Sequence, residues 1–186
     1  MLREQTGFEK SNHFVHLNFT NHKSIKMKNI LILLLLFPLI SIAQWKGNSD
    51  GDNQKSNMIK YYMESYVNQD YGQLERIIAN DATIRYNEIE MSKNSLKDAE
   101  MGHHSLYSDI SFNTWAVITS EYENGHIWTH LWGEWTGTGK FTKTKLTNLV
   151  HLAYKWNGNN QVENILGVYD ATHLNNEIAA SSNKKK

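Results

Sequence analysis

The chain has 186 residues, 40% of them hydrophobic and 20% charged, which suits one domain with extensions and is too apolar for a disordered chain. Lys+Arg and Asp+Glu both number 19, so no charge excess argues for nucleic acid or an anionic membrane surface as a partner. The absence of Cys excludes disulfides, thiolate metal sites, a cysteine nucleophile and a lipid-bearing cysteine anchor.

Near the N-terminus, Lys26, Met27 and Lys28 precede an apolar run from Ile30 to Ala43, broken by Pro38 and Ser41. The run falls short of the about 20 residues that span a bilayer. It has the basic start, apolar middle and small residues (Ser41, Ala43) of a secretory signal. A signal peptide over 27–43 is therefore expected, with an exported (periplasmic or secreted) product and no stable membrane insertion after cleavage. The polar residues 1–26 read as an over-extended start ahead of Met27. Residues 44–57, with Gly47 and Gly51, read as a flexible linker.

From Met58 the pattern turns helical: Met58, Ile59, Tyr62, Met63, Tyr66 and Val67 form one stripe. Asp70, with Gln73 three residues on, caps a second helix whose apolar face is Tyr71, Leu74, Ile77 and Ile78. A short strand is expected over 82–86. Ser95 and Asp98 open a third helix with Leu96, Ala99, His103, Leu106 and Tyr107 at helical spacing. The texture then becomes β, with strands over 115–122, 127–136, 146–156 and 162–169. Glu123-Asn124-Gly125 and Asn157-Gly158 are the hairpin turns. Helices followed by an antiparallel meander give an α+β order, in which a curved sheet wraps a helix and leaves room for a cavity. Lys184, Lys185 and Lys186 end a solvated basic tail at 181–186.

Three segments carry a family resemblance. The stretch from Tyr62 to Ile84 has a helix, a polar break at Asp70, a second helix, and Asp81-Ala82-Thr83 entering a strand. Trp132-Gly133-Glu134-Trp135-Thr136-Gly137-Thr138 forms a Trp/Gly/Thr strand, and Tyr154 to Gly158 with Val162 and Tyr169-Asp170 forms a closing hairpin. In these features residues 58–174 resemble the nuclear transport factor 2-like superfamily, which includes ketosteroid isomerases and SnoaL-like cyclases. The resemblance implies a domain over 58–180 built as a cone, with three N-terminal helices on a curved antiparallel sheet that encloses a pocket. It also implies a helix-one Tyr, here Tyr62, facing the cavity, a homodimer through the sheet face, and cofactor-free chemistry; no metal is expected, because the His residues are scattered and no helical His-Glu motif is present. Ketosteroid isomerase activity is not expected. The positions of its proton-shuttling and oxyanion-holding Asp residues fall on Tyr86 and Leu152. Leu cannot donate a hydrogen bond, and Tyr, with a reference pKa of ~10, is a poor base at neutral pH. In SnoaL-like cyclases a carboxylate from the later strands is the base, and Asp170 is the nearest match.

Alternation along the second long strand puts Trp128, His130, Trp132 and Glu134 on one face. This face reads either as the wall of a site for a planar or apolar ligand, or as ordinary helix–sheet core. His151 on the next strand faces His130. With Glu134 the pair reads as an acid/base set or a metal site, although no helical His-Glu motif supports a metal. His103 and His104 face the pocket mouth or answer the helix dipole. Asp170 is either a general base or a turn cap. The expected function is binding of a small apolar or aromatic molecule, with Tyr62, Tyr86, Trp128, His130, Trp132, Glu134 and Leu152 as the contact residues. The alternative is a cofactor-independent isomerase, cyclase or dehydratase with Asp170 or His151 as base and Tyr62 as hydrogen-bond donor.

Overall fold

The computed structural model describes residues 47–183; the expected signal segment and residues 1–26 lie outside the described residues. The stretch expected to be a linker carries structure. Strand β1 (Gly47–Asp50) pairs with β4, and helix α1 (Gln54–Val67) begins four residues before Met58. The earlier start has a local cause: the Asn53 side chain accepts from the Ser56 N–H at 2.9 Å and so caps the helix. The stripe Ile59, Tyr62, Met63 and Tyr66 is buried, as its spacing predicts.

Helix α2 (Gly72–Ile77) is a short piece that runs directly into β2 (Ile78–Tyr86). Asp70 accepts from the Gly72 N–H at 2.9 Å. Lys93 stops the helix from the far side. Its buried ammonium donates to the carbonyls of Glu75 (2.9 Å) and Ile78 (2.8 Å) and lies 3.3 Å from the Glu75 carboxylate. A cation suits this place because the last carbonyls of a helix lack intrahelical donors. Strand β3 (Ile89–Met91) and helix α3 (Lys93–Leu106) follow, the latter capped by Ser92.

The remaining strands are β4 (Tyr107–Tyr122), β5 (Ile127–Gly139), β6 (Lys145–Trp156) and β7 (Val162–Tyr169). Helix α4 (Thr172–Asn183) closes the described chain. Its polar sequence gave no apolar stripe to predict it from. The seven strands form one mixed sheet in the order β1-β4-β5-β6-β7-β2-β3, antiparallel except for the β2–β7 pair. The β4–β5 register shifts between Ser108 and Ser111 and again between Thr114 and Ala116. At the first bulge Asp109 has φ 54°. Bulges bend a strand and increase its twist, so β4 and its neighbours curl around α1.

The inner face of the sheet holds the core, with Ile59, Tyr62, Leu131, Tyr154 and Ile165 at 2% exposure or less. A buried hydroxyl chain ties the start of α1 to it. The Trp156 indole can only donate, and it does so to Thr129 Oγ1 (2.8 Å). Thr129 therefore gives its own proton to Thr119 (2.8 Å), Thr119 gives its proton to Ser56 (2.8 Å), and Ser56 donates to the carbonyl of Asp50 (3.1 Å). Helix α4 is held by Glu177, whose buried carboxylate accepts from the backbone N–H groups of Phe141 and Thr142. Among the described residues no helix is long and apolar enough to cross a membrane.

The hydroxyl chain makes a testable demand. Thr129→Val leaves the buried Trp156 N–H without an acceptor and Thr119 without its donor. Urea unfolding should show a loss of about 1–3 kcal/mol.

Candidate functional site

Between α1, α3, α4 and the inner face of the sheet lies a cavity of about 290 Å³. Helix α1 supplies Met63 and Tyr66, and α3 supplies Leu96, Glu100 and His103. The sheet supplies Tyr86, Phe112, Trp135, Val150, Leu152 and Tyr169, and α4 supplies His173 and Leu174. Two glycines make room for these walls. A Cβ on Gly167 would stand 2.2 Å from the Tyr86 ring and 3.0 Å from Leu152; one on Gly137 would stand 2.7 Å from the Trp135 indole. Any side chain at either place would push a wall residue out of position.

Glu100 is the polar centre of this space. It is 6% exposed, and one carboxylate oxygen, Oε1, accepts a short hydrogen bond from the Tyr62 hydroxyl. The other, Oε2, is buried with no hydrogen-bond partner among the described residues. Burial in apolar surroundings disfavours the carboxylate and raises its pKa to about 7, against the downward pull of the Tyr62 bond. Burial and the neighbouring Glu100 push the Tyr62 phenol well above its ordinary range, so it stays a donor.

A second network borders the cavity. The Trp135 indole N–H donates to the Tyr66 hydroxyl at 2.9 Å. Tyr66 accepts there, and its own proton is directed to His103 Nδ1 at 3.1 Å. That bond needs a bare Nδ1 and puts the imidazole proton on Nε2. Burial, with a smaller contribution from His104, lowers the His103 pKa to about 4, so the ring is neutral at physiological pH. His104 bonds through Nε2 to the Tyr66 backbone carbonyl at 2.8 Å, which fixes α3 against α1 rather than serving the cavity.

The residues singled out from the sequence divide between the two faces of the sheet. Tyr86 and Leu152 line the cavity. Tyr62 stands one hydrogen bond behind it and orients Glu100. Trp128, His130, Trp132 and His151 form a stack on the outer face: the His130 and Trp132 rings are 5.6 Å apart and those of Trp132 and His151 4.9 Å apart. His130 Nδ1 lies 3.3 Å from His151 Nε2, so these two do meet, but away from the cavity. Glu134, on the same face, pairs in register with Asn113 and Leu149. The alternation is as the sequence indicates, but the face turned inward is the other one, with Thr129, Leu131 and Trp135. Asp170 is exposed and accepts from the Thr172 N–H at 2.9 Å, which caps α4. Hydrogen bonds from the Thr172 side chain and, second to it, the Thr172 backbone N–H hold its pKa below the usual value, the behaviour of a cap and not of a base.

Glu100, His103, Tyr66 and Trp135, together with Asn148 and His173, are polar cavity residues that the sequence pattern did not single out or left open. Glu100 was within reach of it. It lies four residues after Leu96 and three before His103, on the same apolar stripe of α3, where a carboxylate is out of place.

No protein-family model matches the chain, and no curated protein matches it. Solved structures do. A candidate SnoaL-like polyketide cyclase from Shewanella putrefaciens CN-32 superposes with a TM-score of 0.52 at 14% identity over 68% of this chain and 97% of its own. IdmH, a candidate polyketide cyclase from Streptomyces antibioticus, gives 0.53 at 11% identity over 68% and 99%. AclR, a candidate hydroxylase from Streptomyces galilaeus, gives 0.53 at 10% identity over 65% and 92%. At these identities the likeness is one of fold: the chain has the nuclear transport factor 2-like, SnoaL-like cone architecture.

Glu100 and His103 predict opposing pH dependences. Glu100 favours the folded state fully below its unfolded value of 4.5, and that contribution is lost as pH rises to about 7. His103, lowered from 6.5 to about 4, acts in reverse, and its contribution grows between those values. Each amounts to on the order of 3 kcal/mol, so they nearly cancel between pH 4.5 and 6.5. Relative to wild type, denaturant unfolding of Glu100→Gln should show stability rising with pH across 4.5–6.5. His103→Asn should show it falling across the same window.

Proposed function

We propose, from a fold shared with SnoaL-like proteins, that this chain binds a small apolar or aromatic molecule carrying one polar group, and that the polar group meets Glu100. Ketosteroid isomerase activity is not part of the reading, because Tyr86 and Leu152 stand where its two acids would be. The observation that carries the proposal is Glu100, a buried carboxyl group on the wall of a cavity otherwise lined largely by rings and aliphatic chains, whose Oε2 has no hydrogen-bond partner among the described residues. An unpaired buried polar atom costs about 1–3 kcal/mol. A ligand that pairs with it gains that energy on top of its apolar burial. The volume lies at the small end of the about 300–1,000 Å³ usual for ligand pockets.

A second reading, a cofactor-independent isomerase, cyclase or dehydratase, is favoured by one observation. Burial brings Glu100 to about 7, where a carboxyl group both gives and takes protons at neutral pH. In that reading Glu100 takes the role first expected of Asp170 or His151, and Tyr62 positions it. The proposal extends to export, on the strength of the 27–43 segment, and to a homodimer through the outer sheet face. There Trp132 (39% exposed), Leu149 (62%) and Val168 (63%) leave apolar surface uncovered.

Native mass spectrometry of gently purified protein tests the reading. An extra mass is expected on wild type and on Trp132→Ala, whose side chain lies outside the cavity. It should be absent from Leu152→Trp, which fills the cavity. An extra mass that survives in Leu152→Trp would place the ligand elsewhere and refute the proposal. Release of a molecule altered from the one supplied would favour the enzyme.

A further inference from the structure

The chemistry of the polar group can be narrowed, on the premise that the cavity is a ligand site. Among the described residues, Glu100 is the only carboxylate that lines it, and no Lys or Arg does. His103 is neutral, with Nδ1 occupied by Tyr66. Six aromatic rings make up much of the wall: Tyr66, Tyr86, Tyr107, Phe112, Trp135 and Tyr169. They brace one another edge to face, Tyr107 against Trp135 at 5.1 Å and 82°, and Tyr86 against Tyr169 at 6.1 Å and 64°. Rings fixed in this way keep their shape as a ligand enters.

Each class of ligand meets this inventory differently. Where Glu100 is ionised, an anion would face its carboxylate with no Lys or Arg in the cavity wall to offset it. A wholly apolar molecule would leave Oε2 unpaired. A neutral donor would satisfy Oε2 but gain little from the electron-rich ring faces. A cation is attracted by the carboxylate and by the rings together, in a space of low dielectric where neither attraction is screened as it is in water.

We propose that the cavity selects a small organic cation, a protonated amine or quaternary ammonium on an apolar or aromatic body, whose charge is held by Glu100 within the aromatic wall. Tyr62 is a positioning residue in this arrangement. It occupies Oε1, and Oε2 has no partner among the described residues.

The test uses phenyltrimethylammonium and its uncharged isostere tert-butylbenzene, which share a shape and differ in charge. Binding to the purified protein is followed by tryptophan fluorescence at pH 8, in wild type and in Glu100→Gln. The ammonium should bind wild type at least about tenfold more tightly than the isostere, and that preference should shrink by about tenfold or more in Glu100→Gln. An isostere that binds wild type as well as the ammonium overturns the cation assignment but leaves the cavity a site for neutral molecules. A preference that survives in Glu100→Gln overturns the assignment of the charge to Glu100 and would leave the aromatic wall alone to select the cation. Failure of both probes to bind wild type removes the ligand-site reading and this inference with it. Should Glu100→Gln fail to fold, the comparison of the two probes on wild type decides the matter.

Discussion

Strand β4 is 16 residues long, and a regular strand of that length would run roughly 50 Å, well past the 14-residue helix α1 that it covers. It follows the helix only because two bulges bend it, one around Asp109 and one at Trp115, where the indole is thrown outward. The neighbouring strands pair in register with β4 and take up the same curvature. The concave face that results has two ends with different contents. Around Thr119, Thr129 and Trp156 the helix sits close, and a line of hydroxyls links the Trp156 indole to Ser56. Around Phe112, Trp135 and Leu152 the space between helix and sheet is not filled, and the cavity forms there.

That unfilled end governs the electrostatics. Burial disfavours charge on any group, and here it acts on an acid and a base at once: Glu100 is pushed up and His103 down. Between their two values the cavity holds a neutral acid beside a neutral imidazole, each with its orientation set by one tyrosine of α1. Tyr62 and Tyr66 lie one helical turn apart, so a single helix face positions both groups. The cavity is therefore apolar over most of its wall and adjustable in charge at one point, and the function proposed for it depends on this contrast.

The outer face of the same strands carries a different aromatic surface. The stack of Trp128, His130, Trp132 and His151 is held by cross-strand neighbours, Trp132 opposite His151 and His130 opposite Ala153, and so owes nothing to the helices. Strand β5 is thus aromatic on both sides, with Trp135 inward and Trp132 outward, three residues apart.

Local pattern was enough to determine a good deal. The apolar stripe of α1, strands β5 to β7, the second half of β4, the turn at Asn124-Gly125 with Gly125 at φ 80°, and the α+β order all depend on interactions within a few residues, and each was legible in the sequence; the first half of β4 was not, and Tyr107, expected at the end of the third helix, opens that strand. So were Tyr86 and Leu152 as cavity residues, through the family resemblance. The side of β5 that turns inward was not legible. A period of two defines two faces, and the choice between them depends on the direction in which the sheet curls and on the rings its glycines must accommodate. Trp128, His130 and Trp132 made the outer face look like the richer one, whereas the inner face carries Gly133 and Gly137 because the rings of Phe112, on the neighbouring strand, and Trp135, on the same strand, lie over them. Nor could the sequence show that Glu100 on α3 meets Tyr62 on α1, 38 positions earlier, or that Asp170 caps a helix outside the cavity. Those outcomes were decided by the tertiary structure, because burial, and with it the protonation of a carboxyl group, is a property of what the folded chain brings around a residue.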